Sequence, residues 1–95
     1  MEQTDREFYD ITVGKSSSIR AIYDAMNRID NPDDAKRFFN GYVDYIHQEG
    51  KVSQEEAVTI AKANLGWMFG EGMPPKRITM WHEATGAMHP LGFGT

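Results

Sequence analysis

The sequence predicts an all-α protein, a small bundle of helices within a single domain. Apolar residues recur at three- and four-residue spacing in several segments, which is the pattern of a buried helical face. Helix-capping residues stand just before these segments. A chain of 95 residues is also the right length for one domain with one modest core. We place this domain at residues 1–86 and treat residues 87–95 as a C-terminal tail.

The N-terminal segment is the ambiguous part of this prediction. Thr4 and Glu7 have the spacing of a capping box, which predicts one short helical turn. Residues 8–13 (FYDITV) are rich in β-branched side chains. They are therefore also compatible with one strand, paired with residues 76–81 (KRITMW) or with another subunit. The first well-marked helix follows at about residues 17–29. Its predicted inward face consists of Ile19, Ile22, Tyr23, Met26 and Ile29.

Two longer helices form the predicted centre of the bundle. Asn31 caps the first, Pro32 occupies its first position, and Gly50 ends it. Its buried face comprises Ala35, Phe38, Phe39, Tyr42, Val43 and Ile46. Ser53 and Glu56 form a capping box at the start of the second. Its buried face comprises Ala57, Ile60, Ala61, Leu65 and Met68, with Val58 and Trp67 on the flanks. Because few residues connect the two helices, we expect an antiparallel hairpin.

A short fourth helix and an irregular tail complete the predicted architecture. Pro75 begins the helix, Trp81 faces inward, and Gly86 lies beyond its end. The following residues, AMHPLGFGT, are rich in glycine and aromatic or aliphatic side chains. A fixed conformation of such a tail requires something to hold it. We expect the tail to dock on its own domain, with Leu91 and Phe93 as structural pins, or to dock on another chain.

The composition disfavours several classes of partner. Ten basic and fourteen acidic residues give a net charge of −4, and their dispersion makes nucleic acid an improbable partner. No apolar run is long enough to span a bilayer, and the N-terminus (MEQTDREF) does not resemble a secretory leader. The absence of cysteine excludes disulfides and thiolate metal sites and suits a reducing compartment. We therefore expect a cytoplasmic protein without a membrane partner.

Residues 9–18 (YDITVGKSSS) contain part of a phosphate-binding loop. Gly14, Lys15 and Ser16 match its second half, but Tyr9 occupies the position of the first glycine. The tyrosine side chain would obstruct the close approach of backbone and phosphate that the motif needs. We therefore do not predict nucleotide hydrolysis, and we expect a serine among residues 16–18 to cap the following helix.

No catalytic, metal or cofactor residue is predicted. His47, His82 and His89 lack the i, i+4 spacing of a helical metal site. His82 begins a sequence similar to a zinc-protease signature, but Gly86 stands where the second histidine belongs. His47 lies near the predicted end of a helix, where we expect it to be a surface or capping residue.

The candidate partner-binding residues come from two parts of the chain. Lys76 and Arg77 stand close to Trp81 and form a compact basic and aromatic group, which suits a phosphate, a base or an acidic protein surface. Solvated charges beside a core tryptophan are the alternative interpretation. The tail supplies the remaining apolar candidates. The predicted partner-binding residues are Trp67, Lys76, Arg77, Trp81, His89, Leu91 and Phe93.

The C-terminal third of the chain resembles a group of small uncharacterised bacteriophage and prophage proteins. The segments AKANLGWMFG (61–70) and HEATGAMHPLGFGT (82–95) are similar to the ends of those proteins, which finish with His-Pro-aliphatic and then Phe-Gly. Gly92 stands between Leu91 and Phe93 here and departs from that pattern. The resemblance implies a bacterial host cytoplasm and an accessory inhibitor or a minor particle component.

Three functions of different classes follow as hypotheses. The first is a non-enzymatic protein-interaction module, such as a phage-encoded inhibitor of a host defence protein. The second is a particle or assembly component that forms a homo-oligomer through its tail. The third is a protein that sequesters a nucleotide, using aromatic stacking and a set of basic residues. That set consists of Lys15, Arg20, Lys76 and Arg77.

Overall fold

Five α-helices make up the fold. The structure, a computed structural model, describes residues 2–14 and 18–92. The helices are α1 (Asp5–Val13), α2 (Ile19–Arg28), α3 (Pro32–Gly50), α4 (Gln54–Met68) and α5 (Pro75–Thr85). No strand occurs within these described ranges. The all-α prediction is confirmed there, with one helix more than predicted.

The N-terminal segment is a full helix, so the strand considered for residues 8–13 is wrong. The Glu7 N–H donates to Thr4 Oγ1 at 3.1 Å, and the Thr4 N–H donates to Glu7 Oε1 at 2.9 Å. This complete capping box satisfies two donors at the start of α1. Tyr9 and Val13 lie four residues apart and are both buried. Their burial on one helical face offsets the modest helix propensity of the β-branched residues.

The other helix starts agree with their local signals. Ser18, Asn31 and Ser53 each accept a hydrogen bond from the backbone N–H three residues later, at 2.9 to 3.2 Å. These bonds satisfy donors that have no partner within the helix. Pro32 is the first residue of α3, as predicted, although the left-handed residue at its end is Lys51, with φ of 54°.

The last helix begins and ends as the sequence predicts. Pro75 is its first residue, where a missing N–H costs nothing because that donor would have no helical partner. Gly86 adopts a left-handed conformation with φ of 79° just beyond its end. The Gly86 N–H donates to the His82 carbonyl at 2.8 Å, so the chain leaves the helix in a defined direction.

The longest helix, α3, lies at the centre of the fold. It packs against α1, α4 and α5, and its contact with α1 is the most extensive. A hydrogen bond of 2.9 Å from Asn64 Nδ2 to Tyr42 Oη joins the middle of α3 to α4. The antiparallel hairpin of these two helices stays a prediction. The bond between Tyr42 and Asn64 is compatible with it, because the two residues lie at similar distances in sequence from the connection between the helices. The predicted face of α3 is buried apart from Ile46, which is partly exposed.

A glycine allows α1 to approach α3 closely. A Cβ placed on Gly41 would lie 2.5 Å from Tyr9 Cβ and 2.9 Å from the carbonyl carbon of Asp5. The contact is flanked by a 3.0 Å hydrogen bond from Asn40 Nδ2 to the Asp5 carboxylate. Arg37 Nε lies 3.7 Å from the same carboxylate. The two helices are therefore held by backbone packing at the centre and by polar contacts at the edge.

Trp81 forms part of the core and not of the surface. Its side chain is 0% exposed, and its ring meets Phe38 edge to face with centroids 5.7 Å apart. The indole Nε1–H donates to the Met26 carbonyl at 3.1 Å, which satisfies the buried polar atom. Trp81 thus joins α5 to α2 and α3. This corrects the prediction that it belongs to a partner-binding surface.

Two residues assigned to buried helical faces are instead exposed. Ile19 and Ile60 both expose a large part of their side chains. Ile19 is the first residue of α2, where one side of the turn has no neighbouring helical turn to cover it. Ile19 also lines the pocket that is described below as the candidate functional site.

Candidate functional site

The candidate site is built around Trp67, in the last turn of α4. Leu65, Gly66 and Met68 are buried, and successive helical residues are turned by about 100°. This turn directs Trp67 away from the core, and its side chain is 56% exposed. Tryptophan side chains are highly buried on average, so an indole with this much exposed surface is unusual.

Trp67 forms one side of a shallow pocket between α2 and the end of α4. The pocket has a volume of about 330 Å³. Two aromatic rings, from Tyr23 and Trp67, line it together with aliphatic and polar side chains. The other lining residues are Ile19, Arg20, Asn64, Met68 and Glu71. This combination of apolar surface and a few polar groups is typical of binding sites in proteins.

Two long-range hydrogen bonds hold the walls of the pocket. Tyr23 Oη donates to the Glu71 carbonyl at 2.7 Å, which ties α2 to the segment that follows α4. Asn64 Nδ2 donates to Tyr42 Oη, which fixes the Asn64 side chain against α3. Burial raises the pKa of Tyr42, and the hydrogen bond from Asn64 opposes this effect in part. The Tyr42 phenol is therefore neutral in the folded protein at ordinary pH.

Charged groups lie at the rim of the pocket. Arg20 Nε is 3.3 Å from Asp24 Oδ1, one helical turn away, and both side chains are largely exposed. An exposed pair of this kind stabilises a helix only slightly and exchanges readily with other partners. The rim therefore offers a cation near the two aromatic rings.

The chain after α5 packs on α4 beside the pocket. We call residues 86–92 the C-terminal strap. Ala87 and His89 are buried, whereas Met88 between them is exposed. This alternation shows an extended segment with one face on the helices. The strap therefore docks on its own domain through residues 87–89, and not through Leu91, which is 77% exposed. The predicted role of Leu91 as a pin is wrong, and Phe93 lies outside the described residues.

Two glycines of the chain provide the seat for the strap. A Cβ placed on Gly66 would lie 2.7 Å from the carbonyl carbon of Met88 and 3.3 Å from the His89 nitrogen. A Cβ placed on Gly70 would lie 2.9 Å from His89 Nε2. Any larger side chain at either position would displace the strap or its histidine. The glycines that the sequence places around Trp67 thus have a packing role.

His89 connects the strap to Trp67. The imidazole and indole rings meet edge to face, with centroids 4.9 Å apart and an interplanar angle of 73°. His89 is 5% exposed. Its Nδ1 accepts a hydrogen bond from the Leu91 N–H at 3.0 Å. His89 is therefore a buried structural contact of Trp67.

The predicted basic group lies at a different place. Lys76 and Arg77 line a pocket of about 250 Å³ with Asp30, Pro32, Pro74 and Met80. None of these residues lines the Trp67 pocket. The Arg77 guanidinium donates to the Ile29 carbonyl, so it ties α5 to the end of α2. Lys76 is exposed, but the structure does not bring it to Trp67.

The structure therefore divides the predicted partner-binding residues into several groups. Trp67 and Leu91 are exposed, and His89 supports Trp67 from below. Lys76 and Arg77 lie at a separate pocket. Sequence reasoning named Arg20 only for nucleotide binding. It missed Tyr23 and Met68 as walls of the Trp67 pocket, because both fit the core pattern equally well. The position of Trp67 on the flank of the α4 face was the one signal that pointed outward.

Two histidines near helix ends bond to the chain just beyond the helix. His47 Nδ1 lies 2.6 Å from the Val52 carbonyl, and His82 Nδ1 lies 2.8 Å from the Ala87 carbonyl. Each ring reaches the carbonyl five residues later, just past a residue in the left-handed conformation. These contacts place a hydrogen on Nδ1 of both rings, since a carbonyl can only accept. His47 lies in the last turn of α3, as predicted, and is partly buried there.

No cluster of three or more histidine, cysteine, aspartate or glutamate side chains within the described residues is arranged to hold a metal ion. None of the helices in the same residues combines the length and apolar character needed to cross a membrane.

Comparison of the chain with protein-family models, with curated proteins and with solved structures gave no match. The fold and the site therefore define the class of this protein by themselves. It is an all-helical domain with an exposed tryptophan pocket and a C-terminal strap packed beside it.

Proposed function

We propose that this protein is a non-enzymatic interaction module that binds a partner protein through Trp67 and its pocket. The observation that carries the proposal is the 56% exposure of Trp67 at the edge of an aromatic pocket. Tryptophan is among the residues that most often dominate the energy of protein interfaces. A partner side chain that enters the pocket would bury both the indole and the Tyr23 ring.

Exposed apolar residues around the pocket extend this surface. Ile19 borders it on α2, and Met88 and Leu91 lie on the strap that contacts Trp67 through His89. Apolar side chains surrounding a central aromatic residue exclude water from it when a partner binds. Arg20 and Glu71 add charges at the rim of the pocket. Such charges orient an approaching partner and raise its association rate more than they raise its affinity.

The kind of partner follows from the resemblance of the C-terminal third to small phage and prophage proteins. We propose a protein of the bacterial host, such as a component of a defence system, in the host cytoplasm. The phage protein would inhibit it by covering a surface.

Affinity capture from bacterial lysate tests this proposal. We expect the wild-type chain to retain a host protein in stoichiometric amount and Trp67→Ala to lose it. Ile11→Ala is the matched control, because Ile11 is an exposed apolar residue of α1 that does not line the pocket. Equal retention by all three chains, or no specific complex with any of them, contradicts the proposal.

A second candidate is the binding of a nucleotide in the same pocket. It is supported by the arrangement of Arg20 beside two aromatic rings, which suits a phosphate and a stacked base. A nucleotide at a hundredfold excess over its Kd would stabilise the fold by about 2.7 kcal/mol. We expect Arg20→Gln to reduce that shift. Unchanged melting temperatures with a panel of nucleotides contradict this candidate.

A third candidate is assembly into a homo-oligomer. It is supported by Leu91, which is 77% exposed on the strap. Sedimentation over a range of protein concentrations tests it. A mass that rises with concentration in the wild type and stays at that of a monomer in Leu91→Asp would support assembly. A monomer at every concentration contradicts it.

A further inference from the structure

His89 combines two separate contacts in the C-terminal strap. Its Nδ1 accepts the Leu91 N–H at 3.0 Å, and its carbonyl accepts the Gly92 N–H at 2.8 Å. These bonds form a turn at the end of the strap. The ring itself lies between Trp67 and Gly70, 4.9 Å from the indole centroid. One side chain therefore shapes the strap and also touches the exposed tryptophan.

Trp67 depends on neighbours outside its own helix for its orientation. An exposed side chain at the end of a helix samples several rotamers unless packing selects one. A buried imidazole whose position is itself fixed by a hydrogen bond and by the Gly70 seat supplies such packing. The edge-to-face geometry of the two rings adds a preferred angle.

We infer that the C-terminal strap is a latch that orients Trp67, with His89 as the positioning residue. When the strap is seated on Gly66 and Gly70, His89 holds the indole at the edge of the pocket. Without the His89 ring, the same indole would lose its support and the pocket would lose a defined wall. The strap thus supports the surface described above. This inference rests on the proposed function only in treating that surface as a docking site.

Three substitutions separate the contacts of His89. His89→Asn retains a side-chain acceptor for the N–H two residues later, the geometry of an Asx turn, but removes the ring beside Trp67. His89→Ala removes both contacts. Gly70→Ala leaves the strap sequence unchanged and places a methyl group 2.9 Å from His89 Nε2, which displaces the ring. Ile11→Ala is the control, because the Ile11 side chain is exposed on α1 and does not line the pocket.

Acrylamide quenching of tryptophan fluorescence measures the effect without any partner. Trp81 is fully buried, so it contributes a weakly quenched background signal. The same variants with Trp67→Phe added measure this background, which is then subtracted. We expect a larger quenching constant for Trp67 in His89→Asn and in Gly70→Ala than in the wild type. We expect no change in Ile11→Ala. His89→Ala should show the same increase together with a lower melting temperature.

Three further outcomes contradict the latch, and a fourth contradicts the proposed function. Unchanged quenching of Trp67 in folded His89→Asn and Gly70→Ala would overturn it. Loss of the helical circular dichroism signal in both variants would make His89 a general core residue and would also overturn it. A host protein bound equally well by His89→Asn and by the wild type contradicts the latch alone. A host protein bound equally well by Trp67→Ala contradicts the proposed function.

Discussion

Gly66 of α4 lies directly against the carbonyl group of Met88 in the C-terminal strap. A Cβ on Gly66 would be 2.7 Å from the carbonyl carbon of Met88, a distance well inside van der Waals contact. The two residues are 22 positions apart in the chain, and the contact joins backbone to backbone. Because a backbone cannot rotate away as a side chain can, the strap can seat here only if residue 66 is glycine.

We predict that Gly66→Ala destabilises the protein and releases the strap. In an ordinary exposed helix this substitution stabilises by up to about 1 kcal/mol. Here the methyl group has no space, and overpacking should cost about 1–3 kcal/mol instead. Chemical denaturation gives the free energy of unfolding. Amide exchange of residues 87–92 reports whether the strap is released.

Gly50→Ala is the matched control for that experiment. Gly50 is also helical, and the nearest atom to its added Cβ is Val52 Cγ2 at 4.0 Å, an ordinary contact. We expect a small gain or no change in the free energy of unfolding. An equal loss of stability in both variants would contradict the steric explanation for Gly66.

We predict a second glycine effect at the contact of α1 with α3. Gly41→Ala places a methyl group 2.5 Å from Tyr9 Cβ and should push α1 away from the core. The expected cost is at least about 1–3 kcal/mol, because Tyr9 is among the fully buried residues. Far-ultraviolet circular dichroism and denaturation measure it. Retention of wild-type stability would contradict the close packing of these helices.

We predict opposite results for the two tryptophans. Trp81→Phe removes buried ring surface and the donor to the Met26 carbonyl, so it should reduce stability by about 2–4 kcal/mol. Trp67→Phe changes an exposed residue and should stay within about 0.5 kcal/mol of the wild type. Thermal and chemical denaturation of both variants test this contrast. A larger loss from Trp67→Phe would mean that Trp67 has a structural role.

We predict that Tyr42 contributes to the loss of stability at high pH. Burial raises the pKa of Tyr42 in the folded protein, whereas the unfolded value is about 10. Its contribution is fully present below pH 10 and is lost as the pH rises through the folded value, because the unfolded chain releases the proton more easily. Denaturation between about pH 8 and 11 should therefore show a shallower decline for Tyr42→Phe.

Tyr42→Phe also removes the acceptor of the Asn64 side chain. We expect a cost of about 1 kcal/mol below pH 9, where the phenol is neutral in both states. Stability curves of wild type and variant that run parallel through the alkaline range would contradict the assigned role of Tyr42.

The helices were predictable because their signals are local. The capping side chains of Ser18, Asn31 and Ser53 bond to N–H groups three residues away, so the sequence contains both partners. The prediction was weakest at residues 8–13, where β-branched residues favour a strand by propensity. Burial of Tyr9 against α3 outweighs that preference, and no local signal reveals that contact.

The candidate site was predictable only in part. Trp67 and Trp81 both follow helical patterns, and the sequence does not show which of them has a neighbour to cover it. Phe38 and Met26 cover Trp81, while the space beside Trp67 stays open. Lys76 and Arg77 were grouped with Trp81, but Trp81 is buried and the Arg77 guanidinium donates to the Ile29 carbonyl.

The sequence by itself determined the helical class, the helix starts and most of the buried faces, because caps and periodicity depend on residues within a few positions of each other. Only the tertiary structure decided which tryptophan is exposed, how the strap reaches α4 and what lines the pocket. Those features depend on steric contacts between distant residues, such as Gly66 with Met88 and Trp67 with His89. A contact of this kind exists only after the helices have packed.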